Sequence, residues 1–263
     1  MPCMGAAKIL LDIDDGIATI TNNNGDKHNA FDDAMDAELF EVLREIRGNP
    51  DLRVVVWKGE GKSWSSGRDT GALKDRNFDP PHHGLMDRGQ KGSLQLLELE
   101  IPVICALHGW VMGGSFQRSL LCDIRIATPD TRFRLPELTY GVVPDLGGPA
   151  RLFQMCGHGI ASDMILTGRI MEAEEALRHG VISRIVSPEE LDATAQEMAE
   201  AVVKSPQLSV KLARRILKRL GDAETIASIG DENLAQSVIN ASHDFAEWRA
   251  AYQEKRKPGY KNA

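Results

Sequence analysis

Two glycine-bearing turns and one acidic loop hold the residues whose types and order could do chemistry. The first turn is Lys62-Ser63-Trp64-Ser65-Ser66-Gly67-Arg68-Asp69, and the second is His108-Gly109-Trp110-Val111-Met112-Gly113-Gly114-Ser115-Phe116-Gln117. Each follows an apolar run that reads as a strand, and the second opens a helix. Glycine lets the backbone approach a ligand closely, and a helix amino terminus presents unpaired N–H groups to developing negative charge. Two such groups aimed at one acyl oxygen would form an oxyanion hole. Ordinary tight turns are the alternative for either turn alone. The third segment, Phe133 to Gly148, sets two carboxylates, Glu137 and Asp145, in otherwise apolar company.

These segments need a scaffold, and the surrounding pattern supplies one. Lys8 to Ile13 and Gly16 to Asn22 read as two strands about an Asp14-Asp15-Gly16 turn. From Asp32 to Arg47, Met35, Leu39, Leu43 and Ile46 recur at helical spacing, with Asp at the start and Gly48-Asn49-Pro50 at the end. Arg53 to Lys58 is a β-branched strand, followed by helix at Gln90 to Leu99, strand at Val103 to Leu107, helix at Gly113 to Leu121 and strand at Ile124 to Ala127. Such alternation predicts an α/β fold with largely parallel strands. Leu73 to Lys91 reads as a loop around Asp79-Pro80-Pro81. After about Leu152 the strand signal nearly vanishes, and helices are expected at Ala161 to Leu166, Ala173 to His179, Pro188 to Val203, Gln207 to Leu220 and Thr225 to Glu254.

The chain has 263 residues, 42% hydrophobic and 26% charged, which suits one globular domain with a small appendage. No apolar run reaches the roughly 18 residues of a membrane span, and the amino terminus has too little apolar length for a signal peptide, so a cytoplasmic protein is expected. A net charge of −7 disfavours a nucleic-acid partner. The run Lys255 to Lys261 concentrates positive charge and reads equally as a site for an anionic ligand or as a solvated tail. Cys3, Cys105, Cys122 and Cys156 lack zinc spacing and read as buried reduced thiols; no metal site is expected.

The order of motifs resembles that of the crotonase, or enoyl-CoA hydratase/isomerase, family along nearly the whole chain. The resemblance runs through Lys27-His28-Asn29-Ala30, Ser66-Gly67-Arg68-Asp69, Gly113-Gly114, Cys122-Asp123, Pro136-Glu137, Gly147-Gly148, Leu166-Thr167-Gly168-Arg169 and Glu254-Lys255-Arg256-Lys257-Pro258. It implies a spiral of strand–strand–helix units over residues 1–200, with a helical region over 201–263 that assembles trimers, often stacked as hexamers. It implies an acyl-coenzyme A thioester substrate, with coenzyme A entering as part of the substrate and no permanently bound cofactor. The N–H groups of Arg68 and Gly114 are then the oxyanion hole. Lys27, His28, Ala30, Ser66, Asp69, Thr70, Trp110, Gly113, Pro136 and Lys257 are then the residues that bind coenzyme A or substrate.

Departures from the family pattern bear on mechanism. Family hydratases carry two glutamates about the substrate double bond, and here Gln117 stands at the first position while Glu137 keeps the second. A glutamine can orient water but cannot take its proton. Isomerisation of the double bond needs only one carboxylate, so Glu137 is expected to act as acid–base group. Asp145 assists or merely caps its loop. Arg118, where relatives have an apolar residue, either pairs with Glu137, Asp145 or an acidic acyl group, or faces away. Hydration with Gln117 orienting water, hydrolysis of a β-diketone-like acyl group, and an acyl-CoA-binding protein without catalysis are the alternatives. Trp64, Trp110 and Phe116 are expected in the core rather than the acyl tunnel, and His82 and His83 on the surface.

Overall fold

The computed structural model describes residues 7–71 and 82–261. Strands β1 (Ile9–Asp14) and β2 (Ile17–Asn22) form an antiparallel hairpin, and Asp15 and Gly16 at its turn both take positive φ, 43° and 78°. Helix α1 (Asp33–Gly48) follows, its first turn capped by the Asp32 carboxylate, which accepts the Met35 N–H. The expected stripe of Met35, Leu39, Leu43 and Ile46 is buried.

The chain then repeats one manoeuvre. Strand β3 (Val54–Gly59) leads to helix α2 (His82–Glu98). Strands β4 (Val103–Leu107) and β5 (Trp110–Met112) lead to α3 (Gly113–Leu121), and β6 (Ile124–Ala127) and β7 (Arg132–Arg134) lead to α4 (Gly148–Thr167). After α4 come β8 (Ile170–Glu172), α5 (Ala173–Arg178) and β9 (Arg184–Ile185). The large sheet has the order β1-β2-β3-β4-β6-β9, parallel from β2 onward, and a smaller sheet has the order β5-β7-β8.

Isolated parallel bridges Phe31↔Arg68 and Ser65↔Val111 extend the smaller layer. Each turn therefore steps from the large sheet to this second layer and only then enters its helix. Between β4 and β5 the step is made at Gly109, with φ 56°, where a Cβ would stand 2.1 Å from the Lys62 carbonyl oxygen. Only glycine fits so close an approach. The three segments with chemical potential fall at equivalent places in successive turns, the exit from the second layer, and the spiral stacks them side by side.

At its centre the large sheet is covered on both faces, which is why β3 and β4 read as nearly unbroken apolar runs. On β3, Val55 and Trp57 face the main core, while Val54 and Val56 face α6 (Leu191–Val203) through Leu191, Ala195 and Ala199. Trp64 and Phe116 are fully buried in the main core, as expected. Cys105 and Cys122 are buried free thiols and Cys156 is partly buried; Cys3 lies outside the described residues.

Several boundaries differ from the sequence expectation. Helix α2 starts at His82, so the part of the expected Leu73–Lys91 loop from His82 onward is helical; residues 72–81 lie outside the described residues. Glycines 84, 89 and 92 depress helix propensity and hid this stretch. A Cβ at Gly92 would stand 2.1 Å from the Phe40 ring, so close packing on α1 accounts for that glycine. Strands β8 and β9 follow Leu152, where helix alone was expected, because two- and three-residue strands show no alternation. Helix α4 begins at Gly148 and bends at Gly157 (φ 74°, ψ 170°). The expected Thr225–Glu254 helix is two, α8 (Asp222–Asn240) and α9 (His243–Glu254), with Ser242 Oγ accepting the Phe245 N–H at 3.1 Å to start the second. Between α6 and α8 lies α7 (Gln207–Arg219). Among the described residues, no helix is long and apolar enough to cross a membrane.

Candidate active site

A cavity of about 230 Å³ opens where the three segments meet. Ser66, Arg68 and Thr70 come from the exit after β3, Gly113, Gly114 and Gln117 from α3, and Pro136, Glu137 and Asp145 from the stretch between β7 and α4.

Phe31 N–H donates to the Gly67 carbonyl and Asp69 N–H to the Phe31 carbonyl, at 2.8 and 2.9 Å. Strand alternation turns the intervening Arg68 N–H the opposite way. On that side the backbone runs close to β5, because a Cβ at Gly67, with φ 87°, would stand 2.7 Å from the Met112 carbonyl oxygen. Gly114 is the second residue of α3, whose N-cap residue Met112 offers no side-chain cap. Its N–H therefore belongs to the orphan donors of a helix start. The Arg68 guanidinium is drawn away to α1, where it pairs with Asp33 and, at 2.8 Å, with Asp36.

Glu137 begins a short 3-10 turn, Glu137–Tyr140, and its carboxylate lies beside α3: a Cβ on Gly113 would stand 3.5 Å from its Oε1. Gln117 Nε2 donates to Glu137 Oε1 at 2.8 Å, while Gln117 Oε1 accepts the N–H groups of Leu146 and Gly148 at 2.8 and 3.3 Å. Glu137 Oε2 is buried and, among the described residues, accepts no hydrogen bond. Burial pushes the Glu137 carboxyl up to about 8, with the charge of Asp145 adding and the Gln117 bond opposing. Asp145 lines the same cavity and is raised to about 7, first by burial and then by Glu232, against the pull of Arg118. Two carboxyls whose ordinary values lie near 4 are thus brought to neutrality.

Arg118 settles on Asp36, 2.7 Å from Oδ1 in an ion pair off the line of a hydrogen bond, and on Ser93 Oγ at 3.1 Å. Its guanidinium lies over the rings of Phe31 and Phe40. Of the two sequence readings, pairing with a catalytic carboxylate is replaced by this α1 contact, although its charge still reaches Asp145.

The remaining expected residues divide. Ser66, Thr70, Gly113 and Pro136 line the cavity. Lys27, His28, Ala30 and Asp69 lie beside its Ser66 edge: Lys27 Nζ pairs with Asp69 at 3.1 Å, His28 Nδ1 is 2.9 Å from Ser63 Oγ, and the Ala30 carbonyl accepts from Asn24. Trp110 is not among the lining residues; its ring lies under Arg132. Lys257 is exposed on the tail after α9, while neighbouring Arg256 pairs with Glu247 and Glu254. His82 and His83 open α2. Among the described residues, no cluster of three His, Cys, Asp or Glu is placed to hold a metal.

Sequence reasoning missed the far wall. Phe245, Trp248 and Tyr252 of α9 line the cavity as a stack, with Phe245–Trp248 and Trp248–Tyr252 centroids 5.8 and 5.5 Å apart. Tyr252 Oη donates to Thr70 Oγ1 at 3.1 Å, tying α9 to the segment after Arg68. The i, i+3, i+7 spacing marks one face of a helix but not what that face covers.

A two-layer spiral with backbone donors and two carboxyl groups at one cavity is the frame that the comparisons identify. The profile described as enoyl-CoA hydratase/isomerase matches residues 12–263, and the chain belongs to that family, within the crotonase superfamily. It is 32% identical over 257 residues to the short-chain-enoyl-CoA hydratase of Clostridium acetobutylicum, covering 97% of this chain and 98% of that protein. It is 36% identical over 245 residues to the carnitinyl-CoA dehydratase of Salmonella arizonae, covering 89% and 91%. A crystal structure of an enoyl-CoA hydratase/isomerase from Pseudoalteromonas atlantica superposes with a TM-score of 0.86 at 26% identity, covering 96% and 99% of the two chains.

Proposed function

We propose that this enzyme moves the double bond of an enoyl-CoA thioester between the α,β and β,γ positions, with Glu137 as acid–base group and Asp145 as its second. The observation that carries this reading is the commitment of the Gln117 oxygen. It is taken by two backbone N–H groups, and one of the two amide N–H bonds goes to Glu137, so Gln117 has no acceptor left for a water O–H and a single N–H to offer. Two carboxyls raised to neutrality in one cavity supply an acid and a base together. Starting from the β,γ-enoyl thioester, the ionised member removes a proton from the α-carbon. The N–H groups of Arg68 and Gly114 hold the negative charge of the dienolate on the thioester oxygen. The protonated member then delivers a proton to the γ-carbon, leaving the double bond conjugated and the pair with its charge exchanged.

Coenzyme A enters along Lys27, His28, Ala30, Ser66, Asp69 and Thr70, with Lys257 adding charge. The helical region expected over 201–263, carried among the described residues by α7, α8 and α9, assembles the protein: the outer faces of α7 and α8 join copies into a trimer or hexamer. Hydration is the second reading, favoured by the names of the two relatives; Gln117 then orients the water through its remaining N–H and Glu137 carries the protons. Incubation with trans-2- and trans-3-enoyl-CoA of several chain lengths, followed by product separation, tests both. Interconversion of the two enoyl thioesters supports isomerisation, and accumulation of a 3-hydroxyacyl thioester overturns it in favour of hydration. Calorimetric titration with acetoacetyl-CoA tests the binding step; no heat and no thermal protection would refute it.

A further inference from the structure

We propose that Glu232 is a positioning residue for the acid–base pair, acting on Asp145 through the backbone of the loop that carries it. The inference rests on the reading that Glu137 and Asp145 exchange protons with substrate. Glu232 lies on α8, far along the chain, yet α8 grips the loop on either side of Asp145, at Val143 and Gly147. Val143 N–H donates to Gln236 Oε1 at 3.1 Å, and Gly147 N–H donates to Glu232 Oε2 at 2.8 Å. Between them, the Asp145 carbonyl accepts from Gln90 Nε2 at 2.9 Å, and Gln90 Oε1 accepts in turn from Asn233 of α8. Gln117 takes the N–H groups of Leu146 and Gly148. Contact is close enough that a Cβ on Gly147 would stand 3.0 Å from Thr225 Cγ2 and 3.1 Å from Ile229 Cδ1, both on α8.

A clamp with no other task would not need an acid. A glutamine carbonyl would accept the same Gly147 N–H without burying a charge, and burying one is costly. Glu232 is only 7% exposed, and its second oxygen accepts from Ser228 Oγ at 2.6 Å. The charged groups facing Asp145 are Glu232 from α8 and Arg118 from α3, with Glu137 beyond. Arg118 draws the Asp145 proton off, and Glu232 opposes it. Glu232 is itself raised by burial, with Asp231 adding and the Ser228 and Gly147 bonds opposing. The carboxylate thereby holds the loop in place and adds to burial in keeping a proton on Asp145 against the pull of Arg118.

The test compares pH profiles of kcat/KM on trans-3-hexenoyl-CoA for the native enzyme, Glu232→Gln, Glu232→Ala and Asp145→Asn. Glu232→Gln keeps an acceptor for Gly147 and removes the charge. The limb that Asp145→Asn abolishes should move to lower pH in Glu232→Gln, with KM near the native value. Glu232→Ala should lower kcat by about 10- to 100-fold through misplacement of the loop. A Glu232→Gln profile that superimposes on the native one overturns the inference, and this holds even if Glu232→Ala does not fold. A folded Glu232→Ala enzyme with native kcat overturns it as well. Native rates in Asp145→Asn would bring down the underlying reading and this inference with it, whereas an impaired Asp145→Asn beside an unmoved Glu232→Gln sinks the inference alone.

Discussion

The side-chain amide of Gln117 joins the carboxylate of Glu137 to the loop that carries Asp145: Nε2 donates to Glu137 Oε1 at 2.8 Å while Oε1 receives the N–H groups of Leu146 and Gly148. Two backbone donors can be met only by the amide oxygen, so the NH2 must face Glu137. The fit is tight, since a Cβ on Gly148 would stand 2.4 Å from Gln117 Cγ. Gln117, which cannot take up a proton, is therefore a structural joint of the cavity.

Replacing Glu137 tests the acid–base assignment most directly. Glu137→Gln should keep ligand binding while lowering the proton-transfer rate by about 10²–10⁴-fold. Steady-state kinetics on trans-2- and trans-3-enoyl-CoA is the check, and an unchanged kcat would rule Glu137 out as the proton carrier.

Gln117→Glu keeps an acceptor for Leu146 and Gly148 but turns a second carboxyl oxygen toward Glu137. The two oxygens can stay 2.8 Å apart only if a proton lies between them, so one carboxyl becomes an acid and the other a base. Hydration of a short trans-2-enoyl-CoA should rise relative to isomerisation, as judged by the ratio of 3-hydroxyacyl to shifted-enoyl product. A ratio unchanged from the native enzyme would contradict it.

Stability should depend on pH through Glu137. Between the ordinary glutamate value of 4.5 and about 8, the folded protein holds a proton that the unfolded chain has released. Its stability contribution is complete below 4.5 and is lost as pH rises through the folded value. Asp145 acts in the same sense between 3.8 and about 7. The melting temperature of the native protein should therefore fall from pH 5 to pH 8 more steeply than that of Glu137→Gln. Parallel curves would contradict the raised carboxyl.

Leu208, Leu212, Ile216 and Leu220 recur every fourth residue along α7 and its end, and are 49% to 78% exposed. A stripe of that kind is normally covered. Light scattering should report a trimer or hexamer, and Leu212→Glu with Ile216→Glu should dissociate it. A stable native monomer at micromolar concentration would refute the assembly.

The sequence by itself determined the parallel α/β core, the register of α1 through Met35, Leu39, Leu43 and Ile46, and the three segments that meet at the cavity. Those signals are local: periodicity, glycines at tight turns, and motif order. Tertiary structure alone decided that Arg118 pairs with Asp36, that Gln117 and Glu232 hold the Asp145 loop, and that Trp248 and Tyr252 close the site from α9. Each of these depends on how distant turns of the spiral and the carboxyl-terminal helices pack, and a side chain's helical face tells that it is covered without telling by what. The raised values of Glu137 and Asp145 have the same origin, because desolvation is a property of the closed cavity and of no short stretch of chain.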